Sequence, residues 1–222
     1  MRIAILGGTG DIGEGLALRW GYHADHELVI GSREASRAQT KADAYETELD
    51  SRGIDVFIEG RDNADAAASA DAVVLAVPPY HVTDTVEAVA SALSDVDVVI
   101  SPAAGMKRDE SGFHAHPPTA GSVTELVAGI VPEEISVVGA FHNLSAGRLA
   151  DLDAELGIDT LLVGDDEGAK EIVALLAEDI DGLRALDAGG LANAAEVEAL
   201  TPLLINVAQH NDGLHDLGVR FR

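Results

Sequence analysis

The chain begins Arg2-Ile3-Ala4-Ile5-Leu6-Gly7-Gly8-Thr9-Gly10-Asp11-Ile12-Gly13, an apolar run that breaks into glycines and then into a helical pattern. This reads as strand, tight turn, helix. Gly8, Gly10 and Gly13 have the G-x-G-x-x-G spacing, which permits a sharp turn, close approach of backbone to a diphosphate, and tight packing of helix on strand. A helix beginning near Asp11 would offer its free N–H groups to phosphate oxygens, and Glu27-Leu28-Val29-Ile30 supplies a second strand that completes a βαβ unit. Glycine clusters also mark ordinary turns, but the position of this one, between the first strand and the first helix, favours a dinucleotide site.

The residues after the second strand discriminate between dinucleotides. An acidic side chain there would hydrogen-bond the ribose 2′-hydroxyl of NAD, whereas this chain has Gly31-Ser32-Arg33. Ser32 can donate to a 2′-phosphate, Arg33 can pair with it and stack on adenine, and Arg37 lies one helical turn further on. NADP is therefore expected, the alternative being that Arg33 and Arg37 decorate a solvated helix.

Outward from that unit the β-α alternation continues. Helices are expected at about 35–50, 64–70, 83–93, 122–131 and 167–178, and strands at 55–58, 71–77, 96–101, 135–141, 160–163 and 183–186, the last two extending the sheet. The near-continuous apolar run 71–77 is the signature of a parallel strand covered on both faces. The fold class is α/β, a doubly wound and mostly parallel sheet with a small C-terminal helical segment. Residues 1–155 form the dinucleotide-binding domain, and 156–222 extend the sheet and cover the cleft without folding independently. In such a sheet ligands lie outside the carboxyl ends of the strands, which puts Val77, Pro78, His81 and Ala103 on the cofactor side. His81 either contacts the dinucleotide or caps the next helix. The long loop after residue 101 carries His114 and His116, which lack metal-ligand spacing and read as solvated surface. A final helix over about 194–210, with Leu200, Leu203, Leu204 and Val207 at helical spacing, reads as a packing element whose start roofs the site.

His142-Asn143-Leu144-Ser145-Ala146 forms the second candidate region. A histidine at the carboxyl end of a central strand lies where a substrate would meet the nicotinamide, unless it is a satisfied structural histidine. Composition narrows the chemistry. With no cysteine among 222 residues, disulfides, thiolate nucleophiles and cysteine metal sites are excluded, and no metal is expected. A formal net charge of -25, from 39 acidic and 14 basic residues, argues against nucleic acid and anionic membrane surfaces and suggests adaptation to a salt-rich cytoplasm, or simply charge for solubility. No apolar run approaches a membrane span, and Met1-Arg2 leads directly into a core strand, so a cytoplasmic protein is expected, as a homodimer.

Gly7-Gly8-Thr9-Gly10, Gly31-Ser32-Arg33, Phe141-His142-Asn143, Gly164-Asp165-Asp166, Asp181-Gly182-Leu183-Arg184 and Leu200-Thr201-Pro202-Leu203 together resemble the NADPH-dependent F420 reductases of archaea and actinobacteria, almost end to end. The resemblance implies a Rossmann fold, the cofactors NADP(H) and coenzyme F420, and a hydride passed between nicotinamide and deazaflavin rings stacked in a cleft. It also implies that Thr9, Ser32, Arg33 and Arg37 contact the NADP phosphates, and that His142, Leu144, Ala146 and Thr201 surround the deazaflavin, with His142 orienting it or stabilising charge near its ring. Ala195 and Ala199 stand where relatives carry an arginine and a serine, which on this reading removes two polar groups from the deazaflavin side. The alternatives are a reductase of a small carbonyl or imine, with His142 as proton donor, and a non-catalytic NADP-binding module.

Overall fold

The computed structural model describes all 222 residues. In chain order the elements are β1 (Arg2–Leu6), α1 (Asp11–His23), β2 (Glu27–Ser32), α2 (Ala35–Asp50), β3 (Ile58–Asp62), α3 (Asn63–Ala67), β4 (Ala72–Leu75), α4 (Val82–Val89) and β5 (Val98–Ser101). They continue with β6 (Met106–Asp109), β7 (Gly112–Ala115), α5 (Val123–Ala128), β8 (Ser136–Gly139), α6 (Ala146–Ala150), β9 (Ile158–Leu162), α7 (Glu167–Glu178), β10 (Leu183–Asp187), α8 (Ala194–Glu198) and α9 (Leu200–Gln209).

Six strands form one parallel sheet in the order β3-β2-β1-β4-β5-β8, the doubly wound arrangement. The chain direction through the sheet reverses between β1 and β4, and the crevice at that switch point lies above the glycine turn. Helices cover both faces, so β4, β5 and β1 after Arg2 are buried throughout, which is why their sequences are nearly continuous apolar runs. Trp20 on α1 sits in the core, donates its indole N–H to the Leu176 carbonyl at 2.7 Å, and meets Phe141 edge-on at 6.0 Å.

Four expectations need correction. The third strand begins at Ile58, where 55–58 was expected, and Phe57 is 76% exposed. Its register is set by Gly60: an added Cβ there would sit 2.2 Å from the Gln39 nitrogen, so α2 packs where only glycine fits, with Gly60 paired to Ile30. The expected long loop contains the β6–β7 hairpin, whose turn is closed by Asp109 accepting the Ser111 N–H at 2.9 Å and by Gly112 at φ +121°. His114 pairs there with Asp109 at 3.1 Å. β9 and β10 do not extend the main sheet; they pair in parallel with each other and meet it through one antiparallel bridge, Gly139 to Val163. Finally, the last helix breaks at Ala199, because Pro202 has no N–H to give the Glu198 carbonyl. Leu203 and Val207, expected to pack, are 55% and 37% exposed.

Candidate active site

The glycine turn is built as its spacing implies. Gly7 takes a left-handed φ of +76° and donates its N–H to the Gly31 carbonyl at 3.0 Å, fastening the turn to the end of β2. A Cβ on Gly13 would lie 2.5 Å from Gly8 Cα, and one on Gly8 would lie 2.7 Å from the Ile5 carbonyl oxygen. These two glycines therefore serve packing. Gly10 is exposed, and an added Cβ would meet nothing nearer than 3.4 Å, so it leaves the approach to the backbone open. It is the N-cap of α1 and supplies no side-chain cap, and the first helical bond runs from Glu14 N–H to the Gly10 carbonyl at 2.8 Å. The N–H groups of Asp11, Ile12 and Gly13 are thus outside the helical ladder, an anion cradle suited to a diphosphate. Tyr45, which sequence reasoning passed over, reaches from α2 to donate its hydroxyl to the Gly8 carbonyl at 2.8 Å.

Ser32 ends β2, and Arg33 follows it immediately. Arg33 and Arg37 are exposed and have no carboxylate partner, although Arg2, Lys41, Arg52, Arg61, Lys170 and Arg184 all do. Arg19, Lys107, Arg108, Arg148, Arg220 and Arg222 lack one too, but Arg33 and Arg37 lie four residues apart just past β2, where one added phosphate would gain from both. They lie outside the main cavity, as do Thr9 and Ser32, beside the adenosine end of the turn.

That cavity, of about 970 Å³, is a cleft with two walls. One wall is the carboxyl edge of the sheet: Gly10, Asp11 and Ile12 from the turn, Val77 and Pro78 after β4, and Ala103 after β5. The other is the loop of His142, Leu144 and Ala146, with Thr201, Leu204 and Ile205 of α9 and the tail residues Leu214 to Leu217. Of the expected cofactor contacts on the sheet side, His81 is the one this arrangement leaves out: it is exposed and outside the cleft, and its side chain makes no capping bond to α4. Ala195 and Ala199 also need correction, because they line a separate pocket of about 240 Å³ with Gly105, Ala115 and Pro117. Thr201 faces the cleft and those two alanines face away from it.

The loop wall is rigid. Phe141 adopts φ +66°, unusual for a bulky side chain, while its ring is buried against Trp20 and its N–H donates to Thr160 Oγ1 at 2.9 Å. The next residue, His142, is 3% exposed; its carbonyl accepts the Thr201 hydroxyl at 2.7 Å, and its Nε2 lies 3.4 Å from Thr124 Oγ1. Burial lowers its pKa from 6.5 to about 3, so the imidazole is neutral at working pH. Of the roles expected for His142, orienting the deazaflavin, stabilising charge near its ring or donating a proton, a neutral imidazole would perform each through its single N–H. Ser145 caps α6, and its hydroxyl donates to Asp216 of the tail. The tail is anchored by Asp159, which is fully buried, holds Arg184 in two hydrogen bonds of 2.9 and 2.7 Å, and accepts the Phe221 N–H at 2.6 Å. Sequence reasoning missed this clamp, and also missed Glu198, a buried carboxylate behind the loop; the one signal for Glu198 was an acid embedded in the apolar spacing of the final helices.

Comparison with known proteins agrees with this geometry. Residues 2–105 match the family model described as NADP oxidoreductase, coenzyme F420-dependent. The F420-dependent NADP reductase of Methanocaldococcus jannaschii is 40% identical over 212 residues, 93% of this chain and 92% of its own. That of Methanothermobacter thermautotrophicus is 40% identical over 226 residues, 99% of this chain and 94% of its own. A solved protein from Arthrobacter sp. FB24 superimposes with a TM-score of 0.81 at 22% identity, covering 100% and 99% of the two chains, a likeness of fold. A pyrroline-5-carboxylate reductase from Coxiella burnetii shares the fold more distantly, with a TM-score of 0.55 at 18% identity over 83% of this chain and 58% of its own.

Proposed function

The chain belongs to the coenzyme F420-dependent NADP oxidoreductases and transfers a hydride between NADP(H) and F420; we propose that it does so in the two-walled cleft, NADP on the sheet wall and the deazaflavin against the loop wall. The observation that carries this assignment is that one cavity joins the open N-terminus of α1 to the His142–Ala146 loop. In this reading the N–H groups of Asp11, Ile12 and Gly13 hold the diphosphate, with Gly8, Thr9 and Gly10 shaping the turn. Ser32, Arg33 and Arg37 take the 2′-phosphate. Val77, Pro78 and Ala103 flank the nicotinamide, while His142, Leu144, Ala146 and Thr201 form the deazaflavin wall. The two rings supply the hydride chemistry; the protein holds them face to face and keeps water out, which is most of what such a transfer asks of it. Neutral His142 acts by hydrogen bonding and shape.

Mixing the protein with NADPH and oxidised F420 and following both absorbances tests the assignment: equimolar loss of the two supports it. Turnover of a small carbonyl or imine without F420 turnover would overturn it.

We further propose that residues 1–155 act as the NADP-binding unit and that 156–222 cover the cleft without folding alone. A single buried cluster joins Ile3 and Leu28 of the first part to Ile158, Leu162 and Leu183 of the second, which supports this division of labour over two separable folds. The exposed Leu203 and Val207 of α9 support a homodimer, which sedimentation would detect. The charge of -25 supports a small-molecule partner over nucleic acid and a cytoplasm rich in salt; no helix is long and apolar enough to cross a membrane. A melting temperature that falls on dilution from molar salt is the expected outcome, and a flat or rising curve would refute the halophilic reading.

A further inference from the structure

Both ring nitrogens of His142 lie in a fully buried environment, yet only one has a partner. Nε2 is 3.4 Å from Thr124 Oγ1, and Nδ1 has no hydrogen-bond partner at all. Thr124 Oγ1 is in turn 3.0 Å from Glu198 Oε1. The three residues come from three elements: His142 from the loop after β8, Thr124 from α5 and Glu198 from α8. Their meeting depends on Gly139, where an added Cβ would sit 2.8 Å from Thr124 Oγ1 and 3.0 Å from His142 Cε1.

The direction of the hydrogen bonds follows from what each group can give. Glu198 is 4% exposed and accepts from the N–H groups of Val123 at 3.0 Å, Thr124 at 2.9 Å and Gly105 at 3.5 Å, as well as from the Thr124 hydroxyl. Burial pushes its pKa up, but these donors reach both oxygens and favour the ionised, acceptor-only form. A hydroxyl has one hydrogen. Thr124 gives it to Glu198, so its oxygen faces His142 with lone pairs only, and Nε2 must be the protonated nitrogen. Nδ1 is left as a bare acceptor, buried and without a partner.

We propose that Glu198 and Thr124 form a positioning relay that fixes His142 as its Nε2–H tautomer and so sets the orientation of the imidazole behind the deazaflavin wall. The consequence for F420 rests on the cleft being the F420 site; the relay itself does not. Because Nδ1 is buried as well as unpaired, the relay acts by holding the ring that shapes the wall, not by a bond from Nδ1 to the ligand.

Long-range proton–nitrogen correlation spectra of histidine-labelled protein read the tautomer directly, the His142 signals being assigned by their loss in His142→Asn. The wild type is expected to show a neutral Nε2–H ring. Thr124→Val removes the hydroxyl with little change of shape. It should release the tautomer preference and raise KM for F420 about tenfold, the scale of one hydrogen bond, with the Kd for NADPH unchanged. Thr124→Ser should restore both readouts, which a purely steric role for Thr124 would not require. The wild-type spectrum needs no variant to fold, so an Nδ1–H ring there overturns the relay outright, as does an unchanged tautomer in folded Thr124→Val. An Nε2–H ring in a protein that binds NADPH but never turns over F420 overturns the function assigned to the cleft, while the relay stands.

Discussion

Replacing Arg33 by alanine removes an exposed cation that no carboxylate satisfies in the free protein. Arg33 follows the last residue of β2, and Arg37 lies four positions on, in the first turn of α2, so both guanidiniums can reach one phosphate beside Ser32. A hydrogen bond to a charged group contributes roughly 1.5–3 kcal/mol. Arg33 is exposed and water competes for it, so the lower end applies: about 1.5 kcal/mol, or roughly tenfold in Kd. Because Arg33 breaks no ion pair when it leaves, folding stability should not change, and the whole effect should appear in binding. Titration of NADPH and NADH against wild type and Arg33→Ala at low salt checks this. The expected result is a tenfold weaker hold on NADPH and an unchanged hold on NADH, with the difference shrinking in molar salt, where the screening length falls to about 3 Å. Equal losses for the two nucleotides would show that Arg33 serves the adenine or the fold, and would refute the 2′-phosphate assignment.

Because the folded pKa of His142 is lowered from 6.5 to about 3, the folded protein takes up fewer protons than the unfolded chain between those values. The stability this group contributes is full above pH 6.5 and is lost as pH falls toward 3, at up to about 1.4 kcal/mol per unit; His142→Asn should flatten that part of the Tm curve, and the kcat profile should show no histidine limb from this residue. Asp159→Ala should cost about 3 kcal/mol, the lower end for a broken buried pair because Arg184 is 45% exposed, and should free the tail after Asn211 to protease; a tail still protected would show that Asp159 does not anchor it. Gly13→Ala drives a Cβ to 2.5 Å from Gly8 Cα and should lower both Tm and nucleotide affinity, whereas Gly10→Ala, with nothing nearer than 3.4 Å, should spare Tm and weaken NADPH binding. Equal Tm losses in the two variants would refute the division of labour between the glycines.

What could be read from the chain alone was what local chemistry determines. The β1 turn and Arg33 are short-range features, and α2 and α7 run Ala35–Asp50 and Glu167–Glu178 as their periodicity and flanking turn residues indicate. What escaped was decided between distant segments. The β3 register follows from Gly60 meeting the backbone of Gln39, which no window around residue 60 reports. The β6–β7 hairpin carries polar residues on both faces and is held by Asn206, whose side chain accepts the Phe113 N–H at 2.8 Å and donates to the Phe113 carbonyl at 2.6 Å. The same limit explains Ala195 and Ala199. At about 100° per residue they lie on the side of the helix away from Thr201, and which side meets the cleft is decided by packing against distant segments such as Gly105 and Pro117.

The spacing between the two walls of the cleft is fixed by a direct helix contact and not by the sheet alone. α1 presents its N-terminus to the cleft, and α6 begins with the capped end of the His142–Ala146 loop. The two helices touch so closely that a Cβ on Gly15 would lie 2.5 Å from Leu149 Cβ. Arg19, one turn further along α1 and 2% exposed, donates to the carbonyls of Leu149 at 2.9 Å, Arg148 at 2.9 Å and Ala154 at 3.0 Å. Those carbonyls include ones at the C-terminal end of α6 that the short helix cannot satisfy itself. Burial lowers the Arg19 pKa, but not far enough to discharge a guanidinium, so it remains a cation neutralising the negative end of α6. A guanidinium wedged among several carbonyls resists displacement, because each lost bond would leave a buried acceptor unpaired. Hydride transfer needs reacting carbons about 3–3.5 Å apart, a tolerance that two loops on separate supports would not hold. With α1 and α6 clamped together, the proposed nucleotide and deazaflavin walls are tied to each other directly, and α9 with the Asp216-latched tail completes the cleft.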